Sequence, residues 1–360
     1  MGQYWTIVNL DKRQKRSSGK LGEDLFNGIW TYLPTLLTRP TGIGSANLDE
    51  ILESSRFVRE RKTDKINRTL KSCHETSGPI SKCGGKVNDV SHPPFVSRSL
   101  LTLPVEILTM VFDLISADVD VIYLSMASKT LWYIGYNCLQ KRYCEDLGEW
   151  AGDRLICLGD YFSKEDLPEG VSVEDVKGLE PFGSEEEEEE EDEGSTCTYV
   201  EWSSPCFPPS NYYDWKFSSS LSALSRSLYF PLVSVNVVYD MDREWILCNL
   251  TKHEYIRGRA IADMTGTENS NGPFMGDRLN LGTVLITRIC WSSELNTSLS
   301  HNPENIHRGA WAGHRIKITT VDKINDDLST WKDISDVVVK DIEAIWEADC
   351  GGEWKDMKCW

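Results

Sequence analysis

Apolar residues recur at helical spacing in a short segment that begins near Pro104. Proline suits the start of a helix, because its missing N–H would have no partner in the first turn. The apolar stripe that follows consists of Ile107, Leu108, Val111, Phe112 and Ile115. Asp118 and Ser128 are of residue types that cap helices, and further apolar stretches follow each of them. The segment 99–145 is therefore predicted to be a small three-helix module.

A second helical pattern lies towards the C-terminus. Apolar residues recur there with mainly charged residues between them from 333 to about 349, and Gly351 would end the helix. Elsewhere, short stretches rich in β-branched and aromatic residues predict strands, with few helices among them. The predicted strands are 4–10, 155–159, 233–239, 282–289 and 315–320. The predicted fold class is α+β.

Two motifs occur twice and in the same order. Tyr4-Trp5-Thr6-Ile7-Val8-Asn9-Leu10-Asp11-Lys12-Arg13 is echoed by Glu244-Trp245-Ile246-Leu247-Cys248-Asn249-Leu250-Thr251-Lys252-His253. Further along, Gly148-Glu149-Trp150-Ala151-Gly152-Asp153-Arg154-Leu155 is echoed by Gly309-Ala310-Trp311-Ala312-Gly313-His314-Arg315-Ile316. We expect a duplicated, mostly β, two-lobed domain whose first copy is interrupted by the helical module.

These patterns predict six segments along the chain. They are a first part of the N-terminal unit at 1–38, a flexible linker at 39–98, the helical module at 99–145, the remainder of the first unit at 146–180, an acidic disordered insert at 181–198, and a second α+β unit with the C-terminal helix at 199–360. A short helix is expected inside the linker near Leu48 to Leu52.

Charge and composition limit the classes of partner. The net charge is -18, and nine of the acidic residues form one run at 185–193. A negative surface disfavours nucleic acid as a partner. The basic residues between Arg56 and Lys71 are a local exception, and this stretch is either a solvated linker or an import signal. No apolar stretch is long enough to span a membrane, and no secretory signal is seen, so a cytoplasmic or nuclear protein is expected.

The cysteines predict neither disulfides nor a metal site. Eleven cysteines are scattered along a chain without an export signal, which indicates reduced thiols. Cys73, His74 and Cys83 do not supply four zinc ligands in paired turns. We expect no metal and no cofactor. Gly2 lies in a sequence that matches the N-myristoylation pattern, but Tyr4 and Trp5 argue against that modification, which stays open.

The helical module resembles an F-box. The residues that carry the resemblance are Leu103-Pro104-x-Glu106-Ile107-Leu108-x-x-Val111-Phe112 and Val121-Ile122-x-Leu124-Ser125-x-Ala127-Ser128-Lys129-x-Leu131-Trp132. The resemblance implies docking on the Skp adaptor of a cullin-RING ubiquitin ligase. The residues that would face the adaptor are Leu103, Pro104, Ile107, Leu108, Val111, Phe112 and Leu124. A helical hairpin with no such role is the alternative.

The flanking parts resemble an uncharacterised family of bacteria and fungi. That likeness is carried by Asn9-Leu10-x-Lys12-Arg13, Asn249-Leu250-Thr251-Lys252-x-Glu254-Tyr255 and Trp150-Ala151-Gly152-Asp153-Arg154. It implies a shared fold and no particular chemistry.

Catalytic motifs for phosphate, dinucleotide, zinc-protease and esterase chemistry are missing from the sequence. The hypothesis is therefore a non-enzymatic adaptor that recruits an unknown protein substrate. The alternative is a ligand-binding or hydrolytic domain with a regulatory helical insert. Its candidate cleft would comprise Asp153, Arg154, Asp160, His314 and Arg315.

Overall fold

The computed structural model describes residues 3–27, 32–48, 100–179, 202–203, 229, 232–266, 272–274, 279–297, 299–300, 305–324 and 328–355. The chain forms two compact units. The sheet unit comprises Met1–Gly42, Cys144–Phe207 and Val238–Trp360, and the helical unit comprises Ile43–Tyr143 and Pro208–Val237. Helices and a mixed sheet are both present, which confirms the α+β class.

The described helices and strands are numbered in chain order. The strands are β1 (Tyr4–Asn9), β2 (Gln14–Lys20), β3 (Gly42–Ile43), β4 (Arg154–Gly159), β5 (Val237–Val238), β6 (Trp245–Asn249), β7 (Glu254–Arg257), β8 (Cys290–Trp291), β9 (His314–Thr320) and β10 (Lys332–Asp333). The helices are α1 (Leu21–Asn27), α2 (Leu33–Leu37), α3 (Val105–Leu114), α4 (Asp118–Ser125), α5 (Lys129–Asp146), α6 (Gly258–Thr265), α7 (Leu281–Ile289) and α8 (Ser335–Cys350).

One mixed sheet organises the sheet unit. Its strand order is β10-β7-β6-β9-β4-β1-β2, and β8 pairs with β4 as an additional parallel neighbour. The pairs β1–β2, β1–β4, β4–β9, β6–β9 and β6–β7 are antiparallel. At the centre, Arg154 of β4 lies opposite Arg315 of β9. The β4–β9 pair therefore joins two groups of strands, β10-β7-β6-β9 on one side and β4-β1-β2 with β8 on the other.

Both faces of this sheet are covered. Trp5, Leu155 and Ile316 point into the main core, which includes apolar residues of α1, α2, α6, α7 and α8. On the opposite face, smaller clusters form around Ile156 and Ile246. Strands covered on both sides have near-continuous apolar sequences, as the fully buried β6 illustrates.

The predicted strand at 282–289 is wrong, because these residues form α7. Asn280 caps this helix: its Oδ1 accepts hydrogen bonds from the N–H groups of Gly282 and Thr283 at 2.8 and 3.1 Å. All but one of the nine helical residues are buried, so no polar face marks the helical period. The expectation of few helices in this part was also wrong, since α1, α2 and α6 also pack on the sheet.

Other expected elements are confirmed. The strands at 4–10, 155–159 and 315–320 correspond to β1, β4 and β9, and the C-terminal helix corresponds to α8. Of the predicted strand at 233–239, only β5 is a strand, because Leu232 and Val233 are helical and lie buried in the helical unit.

The helical unit contains the three predicted helices as α3, α4 and α5. Ser128 caps α5 by accepting a hydrogen bond from Leu131 N at 3.2 Å, whereas Asp118 lies inside α4 and pairs with Arg142. Arg142 also donates to the carbonyl oxygens of Phe112 and Ile115, which satisfies the C-terminal end of α3. This arginine therefore ties all three helices together.

Two of the expected boundaries differ from the structure. Part of the predicted linker makes specific contacts, since Gly44 N donates to Asn236 O at 2.7 Å and Leu48 is buried. Residues assigned by sequence to the second unit, including Tyr229 and Leu232, pack in the core of the helical unit. The rest of the linker with its basic and Cys-His residues, the acidic insert and Gly2 lie outside the described residues.

Candidate functional site

The helix α3 carries two apolar faces. Leu108 and Phe112 are 2% and 0% exposed in the core of the helical unit, while Val111 and Leu124 are partly buried. This corrects the expectation that Leu108 and Phe112 face a partner, because their side chains contact the other helices of their own unit.

The opposite face of this segment is exposed. We call it the α3 patch, and its apolar residues are Leu100, Leu101, Leu103, Val105, Ile107, Met110 and Leu114. They are between 40% and 84% exposed. The spacing of Ile107, Met110 and Leu114 is three and four residues, which places them along one side of the helix, and Leu103 lies just before its N-cap. Met110 and Leu114 were missed by sequence reasoning, although this spacing could have revealed them.

Solvent exposure of so many neighbouring apolar side chains has a free-energy cost unless a partner covers them. Pro104 is exposed at the N-cap of α3, where its backbone is extended and no side-chain cap is present. Glu106 and Asp113 are exposed on the same helix. The arrangement can bury an apolar stripe against a protein groove that tolerates or complements acidic residues.

A polar cluster lies in the sheet unit where β4 and β9 meet. Asp11 accepts hydrogen bonds from Arg154 Nε at 2.8 Å and from Arg315 Nη1 at 2.9 Å. Asp175 binds the other end of the Arg154 guanidinium through both carboxylate oxygens, at 2.8 and 3.3 Å. Two arginines that lie opposite each other on neighbouring strands are thus bridged by a carboxylate, which offsets their repulsion.

The pKa values of the two carboxyls agree with this pairing. Hydrogen bonds from Arg154 lower the pKa of Asp175 to about 2. For Asp11, burial acts to raise the pKa, but hydrogen bonds and charge from Arg154 and the charge of Arg315 outweigh it, so the pKa is lowered. Both carboxylates are therefore ionised at neutral pH and serve as ion-pair partners. Sequence reasoning missed Asp11 and Asp175, because neither lies near Arg154 in the chain.

The remaining candidates of the predicted cleft have separate partners. Asp153 accepts from Asn9 Nδ2 at 2.9 Å, and His314 Nδ1 lies 2.9 Å from Asn249 Nδ2. Burial, together with the charge of Lys252, lowers the pKa of His314. Asp160 accepts from Tyr4 N at 3.1 Å and follows β4 at the end opposite to Arg154. Asp160 therefore cannot share a cleft with Arg154 and Arg315.

The two sets of sequence motifs make equivalent hydrogen bonds. Leu10 N donates to Arg154 O at 3.0 Å, and Leu250 N donates to Arg315 O at 2.8 Å. The tryptophan of the second motif also donates its indole N–H to a side chain near the first motif, five residues after that motif's asparagine. These pairs are Trp150 with Gln14, and Trp311 with Glu254.

Other described features are small or structural. A depression of about 110 Å³ lies over β1, β2 and β4, which is less than the roughly 300 Å³ of a typical ligand pocket. Within the described ranges, no group of three or more His, Cys, Asp or Glu side chains is placed to hold a metal ion. Among the same residues, no helix combines the length and apolar character needed to cross a bilayer.

Comparisons with family models, with curated proteins and with solved structures find no match to this chain.

Proposed function

We propose that the chain is an F-box-type adaptor that docks on the Skp adaptor of a cullin-RING ubiquitin ligase and recruits a protein substrate. The observation that carries the proposal is the exposed stripe of Ile107, Met110 and Leu114 on a helix whose other face is already buried, with the exposed Leu103 just before the helix. A cytoplasmic or nuclear location belongs to the same proposal.

The free energy of docking would come from burial of the α3 patch. An apolar side chain of this size contributes about 1.5 to 3 kcal/mol when it passes from full exposure to full burial, so partly exposed residues contribute less. Several residues together would offset the entropic cost of association. Leu108 and Phe112 would act indirectly, because they hold α3 in place.

The sheet unit would hold the substrate. We infer that its two halves are related copies that share one sheet. The inference is supported by the repeated motifs and by their equivalent hydrogen bonds across β4 and β9. A positive φ of 51° at both Arg13 and His253, which occupy the same motif position, adds to that support.

The ligand-binding or hydrolytic alternative has less support. It needs Arg154, Asp160, His314 and Arg315 to converge on one cleft, but Asp160 lies at the far end of β4. Arg154 is also held by two carboxylates of its own chain. The adaptor therefore remains the one function that we propose.

A pull-down with the purified Skp adaptor tests the proposal. The variant Ile107→Asp with Met110→Asp places two charges on the α3 patch at side chains that are 43% and 59% exposed, so the fold is retained. The matched control is Val337→Asp, which alters an equally exposed apolar residue of α8. We expect the parent and the control to bind and the double variant to lose binding. No binding by the parent would refute the proposal.

A further inference from the structure

The depression over β1, β2 and β4 combines an apolar floor with a polar rim. Four side chains that are at most 7% exposed build the floor: Val8, Leu158, Phe162 and Leu179. The strand register places the rim on the same face of the sheet, because Lys15 lies opposite Val8 and Ser17 lies opposite Thr6. The depression therefore presents apolar and polar groups side by side.

Three side chains of the rim have unused hydrogen-bond donors. In the described part of the chain, the Lys15 ammonium and the hydroxyls of Thr6 and Ser17 have no hydrogen-bond or ion-pair partner. Lys20, on the same strand, is paired with Glu23. Lys15 and Ser17 are two residues apart on β2, about 7 Å, so a carboxylate between them can accept from both.

One carboxylate also lines the depression, at its other end. Asp160 accepts from Tyr4 N at 3.1 Å and so lies level with Tyr4 on β1, whereas Lys15 lies level with Val8. Four residues of β1 separate these levels, which is about 13 Å along the strand. A carboxylate bound at Lys15 is therefore kept away from Asp160, which can instead accept an N–H of the ligand.

The size of the depression suits a single aliphatic side chain. A closed apolar cavity of about 150 Å³ holds one benzene molecule, and this depression has about 110 Å³. Ser17 at the rim is exposed, so the depression opens to solvent. Small-molecule sites bury about 70–90% of their ligand. An open depression of this size instead holds one group and leaves the rest of a longer ligand outside.

The chemistry of the depression indicates which group that is. Because the apolar floor and the carboxylate donors lie together, the ligand must carry an aliphatic side chain and a carboxylate on one residue. Asp and Glu side chains have the carboxylate alone, and an internal Leu or Val has the aliphatic group alone. An aliphatic residue at the C-terminus of a polypeptide has both, and capture of a C-terminal carboxylate is a recurring mode of recognition.

We propose that this depression binds the C-terminal residue of a partner protein when that residue is aliphatic. Its carboxylate accepts hydrogen bonds from Lys15 and the rim hydroxyls, and its side chain contacts the floor between Val8 and Phe162. The inference rests on the proposed function only in identifying this partner as the protein that the adaptor recruits.

Fluorescence anisotropy on the full chain tests the proposal with a peptide that ends in Ser-Gly-Leu and is labelled at its N-terminus. We expect the free acid to bind and the same peptide with a C-terminal amide to bind at least about tenfold more weakly, since a charge-assisted hydrogen bond is lost. A peptide that ends in Gly should also bind about tenfold more weakly, because it leaves the floor uncovered.

Lys15→Gln removes the ammonium from a side chain without a partner in the described chain, so the fold is retained. It should weaken binding of the free acid by about tenfold. The matched control is Lys340→Gln, which changes an exposed lysine of α8 and should leave binding within about twofold of the parent.

Several outcomes would overturn the proposal. They are equal binding of the acid and the amide, binding that is unaffected by Lys15→Gln, and competition by N-acetyl-leucine at the affinity of the peptide, which would assign the depression to a small molecule. Another is binding that appears only after residues 185–193 are changed to Gln and Asn, which would assign Lys15 to the chain's own acidic run.

The Skp pull-down is run in parallel on the same preparations. A parent chain that binds the peptide but not Skp would overturn the adaptor role and leave the depression as a site for chain ends. A parent chain that binds Skp but no peptide would overturn only the proposal made for the depression.

Discussion

The buried polar side chains of the sheet unit differ in how many of their polar atoms are hydrogen-bonded. Asn249 is fully buried, and its side chain bonds to the backbone N–H groups of Thr251 and Lys252 and to His314. Asp24 is also fully buried, but only its Oδ2 is bonded, to Gly19 N, while Oδ1 has no partner among the described residues. A buried carboxylate with one unpaired oxygen is costly to ionise.

The pairing of Asp24 predicts a pH-dependent stability. Burial raises its pKa to about 6, and the hydrogen bond from Gly19 N offsets only part of that effect. The folded-state pKa lies above the unfolded value of 3.8. The contribution of Asp24 to the stability of the protein is therefore most favourable below pH 3.8 and is lost as the pH rises through 6. Asp24→Asn should therefore raise the free energy of unfolding at pH 8 by about 1–3 kcal/mol.

Denaturant unfolding at pH 4 and pH 8 checks this prediction. The difference between Asp24→Asn and the parent should be much smaller at pH 4, where most of the carboxyl is protonated. Glu347→Gln is the control, since that side chain is exposed on α8 and should change little at either pH. An equal effect of Asp24→Asn at both values would show that ionisation is not its cause.

At the scale of elements, the helical unit depends on the close approach of α5 to α3 and α4. A Cβ atom on Gly135 would lie 1.7 Å from Ser125 Oγ and 2.9 Å from Phe112 Cε1. Neither neighbour can move freely, because Ser125 and Phe112 are fully buried. The spacing of these helices, and with it the position of the α3 patch, is therefore set by a glycine.

Gly135→Ala should destabilise the helical unit by about 1–3 kcal/mol, although alanine favours helix formation by about 1 kcal/mol at a neutral site. Thermal unfolding followed by circular dichroism measures the change. Thr130→Ala on the exposed side of the same helix should have little effect. Adding Ser125→Gly should recover part of the loss, since it removes the atoms that meet the new Cβ. A Gly135→Ala variant that is as stable as the parent would contradict this account of the packing.

The helices and strands differ in how well their sequence patterns predict them. The strands β1 and β9 have a clear apolar pattern, and α8 has a polar face that reveals its period. The helix α7 has almost no polar face, so its apolar run is equally compatible with a buried strand. In the candidate sites, local spacing could have revealed Met110, whereas the pairing of Asp11 with Arg315 depends on strand order across 304 residues of chain.

At the scale of the whole molecule, the β4–β9 pair joins the two halves of the sheet unit into one sheet. Asn9 and Asn249 lie at equivalent motif positions, both are fully buried, and each accepts a hydrogen bond from the N–H three residues later. Asn9 also donates to Asp153, and Asn249 donates to His314. These two acceptors occupy the same position in the second motif, three residues after its tryptophan. Related copies should depend on these two residues in the same way.

We therefore expect Asn9→Ala and Asn249→Ala to destabilise the sheet unit by similar amounts, about 1–3 kcal/mol each, because each leaves buried backbone or side-chain groups unpaired. Because both residues belong to one sheet, each variant should shift a single unfolding transition, measured by tryptophan fluorescence in denaturant. Asn137→Ala is the control, since Asn137 is exposed on α5. If one variant were neutral and the other strongly destabilising, or if the halves unfolded separately, the two motifs would not be equivalent parts of one duplicated sheet.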